Sequence, residues 1–210
     1  MKKRSLYLAI VLLALFALWT VSVQLIDVQP IGPRGSVVGF AALNGFIHNL
    51  TGIHIDLYII TDWLSVVPVT FGLGFAVLGF VQCIQRRSVW KVDGSILILG
   101  GFYIVTIAIY LLFETYVVNY RPILIDGFLE ASYPSSTTLL VLCVMPTAIM
   151  QLRRRIKHPV FCKSVSVAIE SFIAFMVIGR LVSGVHWLTD IIGGILLSAG
   201  LVMIYDSFVG

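Results

Sequence analysis

The chain has 210 residues, 59% hydrophobic and 11% charged, with a mean hydropathy of +1.03 and a formal net charge of +4. That balance excludes an ordinary soluble domain. No basic patch is interleaved with exposed aromatics, so the pI near 9.1 reflects loop lysines and arginines and no nucleic-acid partner is expected.

Apolar runs of about 20 residues match a bilayer core of roughly 30 Å, and the alternation of a membrane barrel is absent. The expected fold is all-α: a polytopic bundle of about six transmembrane helices forming one membrane-embedded domain over residues 1–210. In chain order the spans read Ser5–Ile26, Leu57–Ile84, Ile96–Phe113, Ser135–Gln151, Phe161–Gly179 and His186–Phe208. Met1-Lys2-Lys3-Arg4 could open a secretory signal, but the run from Leu6 to Ile26 is too long for a signal core. It reads as the first span. Asp27–Asp56 holds Pro30, Pro33 and several glycines, with a short amphipathic helix expected near Val38–Leu50. The long second run has room to begin as an interfacial segment. Cys83, Cys143 and Cys162 fit neither a metal spacing nor a disulfide frame and read as reduced packing residues.

Loop charge sets the orientation. Under six spans, eleven of the 14 lysines and arginines share one side, which is therefore cytoplasmic and holds both termini. Only Arg34, Arg121 and Arg180 remain for the other side. Three polar segments meet at that outer boundary: Glu114 to Pro122, Tyr133 to Thr138, and Gly179 to Asp190. Pro134 followed by Ser135 suits a helix start, where free N–H groups and the helix dipole favour an anion. His186 and Asp190, four apart, share a face if the chain is helical from Trp187 on, and an aspartate so placed can hold an imidazole in one tautomer. Arginines, a helix N-terminus and a His–Asp pair together describe a phosphoryl-transfer site. The bland alternative for the pair alone is polar residues at a membrane edge.

At these residues the chain resembles the type 2 phosphatidic acid phosphatase superfamily, the lipid phosphate phosphatases. That family carries Lys-x6-Arg-Pro, Pro-Ser-Gly-His and Ser-Arg-x5-His-x3-Asp. Here the first is matched at Arg121-Pro122, the second at Pro134-Ser135, and the third at Arg180, His186 and Asp190. The resemblance implies His186 as the nucleophile that forms a phosphohistidine, oriented by Asp190, with no metal or other cofactor. It implies a lipid phosphate in the bilayer as substrate, held by Arg121, Arg180 and Ser135, with Ser136 and Thr137 beside them. Glu114 and Tyr120 are possible substrate contacts. Four positions depart from the pattern: Glu114 stands for the Lys, Ser136 for the Gly, Thr137 for the second-motif His, and Gly179 for the Ser before Arg180.

The departures bear on chemistry. A Thr hydroxyl can bond a phosphate oxygen but cannot donate a proton near neutral pH. Expelling an alkoxide from a monoester wants a general acid worth roughly 10²–10⁴-fold. A diphosphate expels a phosphate monoester, which needs the acid less, so diphosphate lipids such as polyprenyl diphosphates are the expected substrates. The alternatives are a lipid phosphotransferase, or an impaired member that binds a headgroup or partner. Paired broken helices and inverted repeats of a transporter are not visible.

Outside the motifs, Glu170 reads as a protonated carboxyl buried mid-span and bonded to a Ser or Thr. His48, His54, Asp56 and Asp62 read as interfacial polar residues. Trp63, Trp90 and Trp187 read as an aromatic belt, and Gly193 and Gly194 as a close helix contact.

Overall fold

The computed structural model describes residues 3–209. Its helices are α1 (Lys3–Leu25), α2 (Ala41–Thr51), α3 (Ile55–Leu64), α4 (Val66–Arg86), α5 (Gly94–Thr115), α6 (Ser136–Arg155), α7 (Pro159–Val182) and α8 (Leu188–Val209). Six stretches are long and apolar enough to cross a membrane, with α3 and α4 together making one span of 32 residues. The chain is a multi-pass helical membrane protein.

Each boundary has a local cause. Pro68 lacks the N–H that a continuous helix would give to the Leu64 carbonyl, and its ring would strike that carbonyl. The chain breaks at Ser65, whose N–H turns back to the Asp62 carbonyl. α4 closes on Arg87 in the left-handed region, its N–H reaching the carbonyls of Cys83 and Ile84. Pro159 opens α7, where a missing N–H costs nothing, and the His158 ring nitrogen accepts the Phe161 N–H.

Burial separates inner from outer helices. α6 and α8 are each 61% buried over their most apolar stretch, against 11–28% for the other spans. α8 is the axis: α1, α5 and α6 all pack on it, and α7 closes over α6. Gly193 and Gly194 let α8 approach the Tyr133 ring and Thr138. Apolar side chains such as Leu18 and Ile104 point outward, which suits a lipid solvent.

Four expectations change. The short helix runs Ala41–Thr51 and is bound to the bundle: Asn44, buried, donates to Thr189 Oγ1 (3.0 Å) and accepts the Thr189 N–H (3.2 Å). The last span begins at Leu188, not His186, because Gly184 turns the chain at φ +71° and the Asp190 carboxylate caps the Trp187 N–H. His186 therefore stands in the loop before the helix. Trp187 is buried rather than part of a belt, its Nε1 donating to the Tyr120 carbonyl at 2.8 Å, whereas Trp63 and Trp90 are exposed. Glu170 is 59% exposed on the outer face of α7, 3.8 Å from Arg153, rather than buried against a Ser or Thr. The long Arg153 side chain reaches it from the end of α6, which gives the carboxylate a counter-charge where the sequence offered only hydroxyls.

The segment between α5 and α6 forms a small hairpin. Tyr120 pairs with Ala131 and Ile125 with Phe128. Asp126 and Gly127, both at positive φ, make the turn. Arg34 donates to the Gly127 carbonyl at 3.0 Å and ties the tip to the α1–α2 connection.

Gly184 has a further constraint. A Cβ there would lie 2.2 Å from the Gly52 carbonyl oxygen, whereas at Gly35, also at positive φ, nothing lies within 4 Å. Gly184→Ala should lower the thermal midpoint in detergent more than Gly35→Ala, whose cost is backbone strain alone, of order 1–3 kcal/mol. Equal shifts would show that the loop does not press on Gly52.

Candidate active site

Asp190 is fully buried in the first turn of α8. A buried carboxylate needs donors, since its unrelieved burial costs several kcal/mol. Three donors reach it: Ser132 Oγ at 2.5 Å, the Trp187 N–H at 2.9 Å and Asn119 Nδ2 at 3.3 Å. At about 1.5–3 kcal/mol for each bond to a charged group, they roughly offset that cost. Ser132 and Asn119 come from the two arms of the hairpin, so the charge in α8 fixes the hairpin's position.

His186 does not touch Asp190. Its Nδ1 is 3.9 Å from Asp190 Oδ2, too far for a hydrogen bond. Ser132 stands between them, with Oγ 3.0 Å from His186 Nδ1. A hydroxyl has one proton, and an ionised carboxylate only accepts. The Ser132 proton therefore goes to Asp190, and its oxygen accepts Nδ1–H from His186. The neutral ring is left with a lone pair on Nε2. That atom is buried and has no hydrogen-bond partner.

Both arginines are buried and incompletely matched. Arg121 Nε lies 3.1 Å from Glu130 Oε2. The angle is poor for a hydrogen bond, so Nε and Nη1 keep no directed acceptor. Arg180, 1% exposed, lies over the Tyr58 ring at 5.0 Å. Its Nη1 is 3.4 Å from Thr61 Oγ1 and 3.7 Å from Asp62 Oδ1, and its Nε is unpartnered. Gly179 is what lets α3 bring these groups in, because a Cβ there would meet the Thr61 methyl at 2.8 Å. A serine at that position would push α3 away.

The second motif divides. Ser135 caps α6, its Oγ accepting the Thr138 N–H at 3.4 Å while its own N–H bonds the Asp190 carbonyl. Ser136 faces a cavity of about 620 Å³ that is also lined by Arg121, Glu130, Ser132, Glu114 and Tyr120. Thr137 faces a different cavity of about 310 Å³, together with Asp62. Tyr110, Ser136 and Leu139 line both, so the two adjoin. The structure thus gathers Arg121, Ser136, Glu114 and Tyr120 on one wall and sets Thr137 apart. His48, His54 and Asp62 turn to three different neighbours, Trp187, Thr51 and Arg180.

Burial pushes the His186 imidazole well below its ordinary value of 6.5, and the charges of Arg121 and Arg180 push it further the same way. Both effects disfavour imidazolium. The ring is neutral at neutral pH, as a nitrogen nucleophile requires.

Sequence reasoning missed Ser132, Glu130 and Asn44. Asp126-Gly127 is the usual signal of a two-residue hairpin turn. In the structure the Arg121 N–H bonds the Glu130 carbonyl and the Ser132 N–H bonds the Asn119 carbonyl, two residues out of the register that this turn alone would set.

The family model of the PAP2 superfamily matches residues 102–209, which contain every residue of this site contributed by the hairpin, α6, α7 and α8. A solved structure resembles the whole chain: the crystal structure of a transmembrane PAP2-type phosphatidylglycerolphosphate phosphatase from Bacillus subtilis. It is 20% identical, covers 96% of each chain and gives a TM-score of 0.55, a likeness of fold. Among curated proteins none matches the chain in sequence.

The tautomer is measurable. In histidine-labelled protein, 15N shifts should show His186 neutral and Nδ1-protonated at about pH 7, with imidazolium appearing only below the ordinary imidazole value. Ser132→Ala should abolish the tautomer preference while the ring stays neutral. An imidazolium signal at that pH would contradict the geometry.

Proposed function

The chain belongs to the PAP2 superfamily, and on that premise we propose that it is an integral membrane lipid phosphatase working through a phosphohistidine on His186, with diphosphate lipids preferred over monophosphates. The observation that carries this is His186 Nε2: buried, unpartnered, and left with its lone pair by the Ser132–Asp190 relay. The unpartnered N–H groups of Arg121 and Arg180 supply planar forks for the non-bridging oxygens, where transition-state charge gathers. Nε2 attacks phosphorus, the bond to the leaving oxygen breaks, and its electron pair goes with the leaving group. Asp190 acts through Ser132 to stabilise the positive charge that the ring acquires.

The diphosphate preference rests on Thr137. A hydroxyl there cannot protonate an alkoxide, whereas a departing phosphate monoester needs no proton. The excess of lysine and arginine on one set of loops supports an extracytoplasmic site, since the hairpin and the α7–α8 loop lie at the opposite ends of their spans. Headgroup binding without turnover is the competing reading, favoured by the joint change at Glu114 and Thr137.

Purified protein should release phosphate from a lipid diphosphate at least about 10²-fold faster than from the matched monophosphate, the low end of what a missing acid costs. His186→Ala should abolish both. Faster monophosphate turnover would refute the preference, and turnover surviving His186→Ala would refute the nucleophile. The acid limb of kcat/KM should fall below the ordinary imidazole value, because neutral His186 is the active form and its pKa is lowered in the free enzyme. Activity already lost as the pH falls through 6.5 would assign the limb to another group.

A further inference from the structure

A phosphohistidine must be hydrolysed for turnover, and the water needs a base. In-line displacement puts the attacking nitrogen and the leaving oxygen on opposite sides of phosphorus. Water enters where the leaving group departed, so the base belongs on the side away from His186. Glu130 is poorly placed for this. It lies two residues from Ser132 on the same hairpin arm, so both side chains point to one face, the face that holds His186.

The smaller cavity answers better. It adjoins the larger one at Ser136, carries Thr137, and is lined also by Ile107, Leu139 and Leu140, which suit the lipid end of a substrate, beside Ser65, Thr106 and Tyr110. Its one carboxylate is Asp62, whose side chain is 57% exposed at that opening. Asp62 sits in the last turn of α3, and the break at Ser65 ends the helix there. Arg180, on the phosphate side, lies 3.7 Å from its Oδ1. The same carboxylate thus faces the cavity that Thr137 lines and reaches Arg180. A carboxylate at that opening has lone pairs free to accept a proton from water in the second step.

We propose that Asp62 is the general base for hydrolysis of the phosphohistidine, a role that rests on the lipid phosphatase reading above. Asp62 takes a proton from water as the water oxygen bonds to phosphorus. The N–P bond breaks and its electron pair returns to His186 Nε2. Phosphate leaves, and the proton on Asp62 passes to solvent. Thr137, in the same cavity, offers a hydroxyl to orient the water.

The test uses full-length protein in detergent with a lipid diphosphate labelled on the terminal phosphate, quenched in base because phosphohistidine is acid-labile. Asp62→Asn should lower steady-state turnover by about 10²–10⁴-fold while the labelled, base-stable phosphoenzyme accumulates. Asp62→Glu, which keeps a carboxylate, should retain more turnover and accumulate less. Lower turnover of Asp62→Asn without accumulation would place Asp62 before or outside the hydrolytic step and overturn the proposal, as would unchanged turnover. His186→Ala separates the two levels. Label or turnover surviving in that variant would refute the phosphohistidine reading itself, whatever Asp62 does.

Discussion

The buried carboxylate of Asp190 is the constraint on which the outer end of the bundle depends. A charge with no access to water must be surrounded by donors, and one helix cannot supply them all. Here they come from both arms of the hairpin and from the loop before α8. The next residue toward the N-terminus extends the same knot. Thr189 takes Asn44 from α2 and, at 3.5 Å, Asn119 on its hydroxyl, and Trp19 of α1 on its carbonyl. Two adjacent residues at one helix start thereby locate α1, α2 and the hairpin relative to α8. The order of His186 follows from this, because Ser132, which its ring bonds, is held by Asp190.

The two arginines show a complementary pattern. Each is buried, and each pairs with a carboxylate that leaves some of its N–H groups unmatched: Glu130 for Arg121, Asp62 for Arg180. Such partners neutralise the cations without saturating their donors. Buried N–H groups left without acceptors cost free energy, and on the proposed reading a bound phosphate would recover it. The carboxylates are also repulsive to that phosphate, and they give each buried cation a counter-charge.

The spans and the motif residues were legible in sequence because both are strong local signals: long apolar runs, and rare charged residues set among them. Boundaries near the site were not. Reading His186 as the start of the last helix followed the apolar pattern, whereas the turn at Gly184 and the cap from Asp190 depend on contacts with Gly52 and Trp187. Ser132 was invisible for a different reason. A serine carries no signal until its neighbours in space are known, and those neighbours lie 54 and 58 residues away. Glu170 shows the opposite error: the composition around it is apolar, yet Arg153 reaches it along the lipid-facing surface from a neighbouring helix.

The departures from the superfamily's pattern fall in separate places, and that bears on how they are compatible with one fold. Glu114 faces the cavity that holds Arg121, where a lysine would have added a cation; Glu130 already binds Arg121 there, so this wall carries two acids and one base. Thr137 faces the cavity that holds Asp62, where a histidine would have stood beside a carboxylate. Gly179 is explained by neither cavity but by α3, which needs the space to bring Thr61 and Asp62 against Arg180. Gly179, Thr61 and Asp62 are thus linked: a side chain at 179 would displace the helix that carries the other two. On this view the change at Thr137 and the close approach of α3 belong together, since one removes an ionisable group from the cavity and the other delivers one to it.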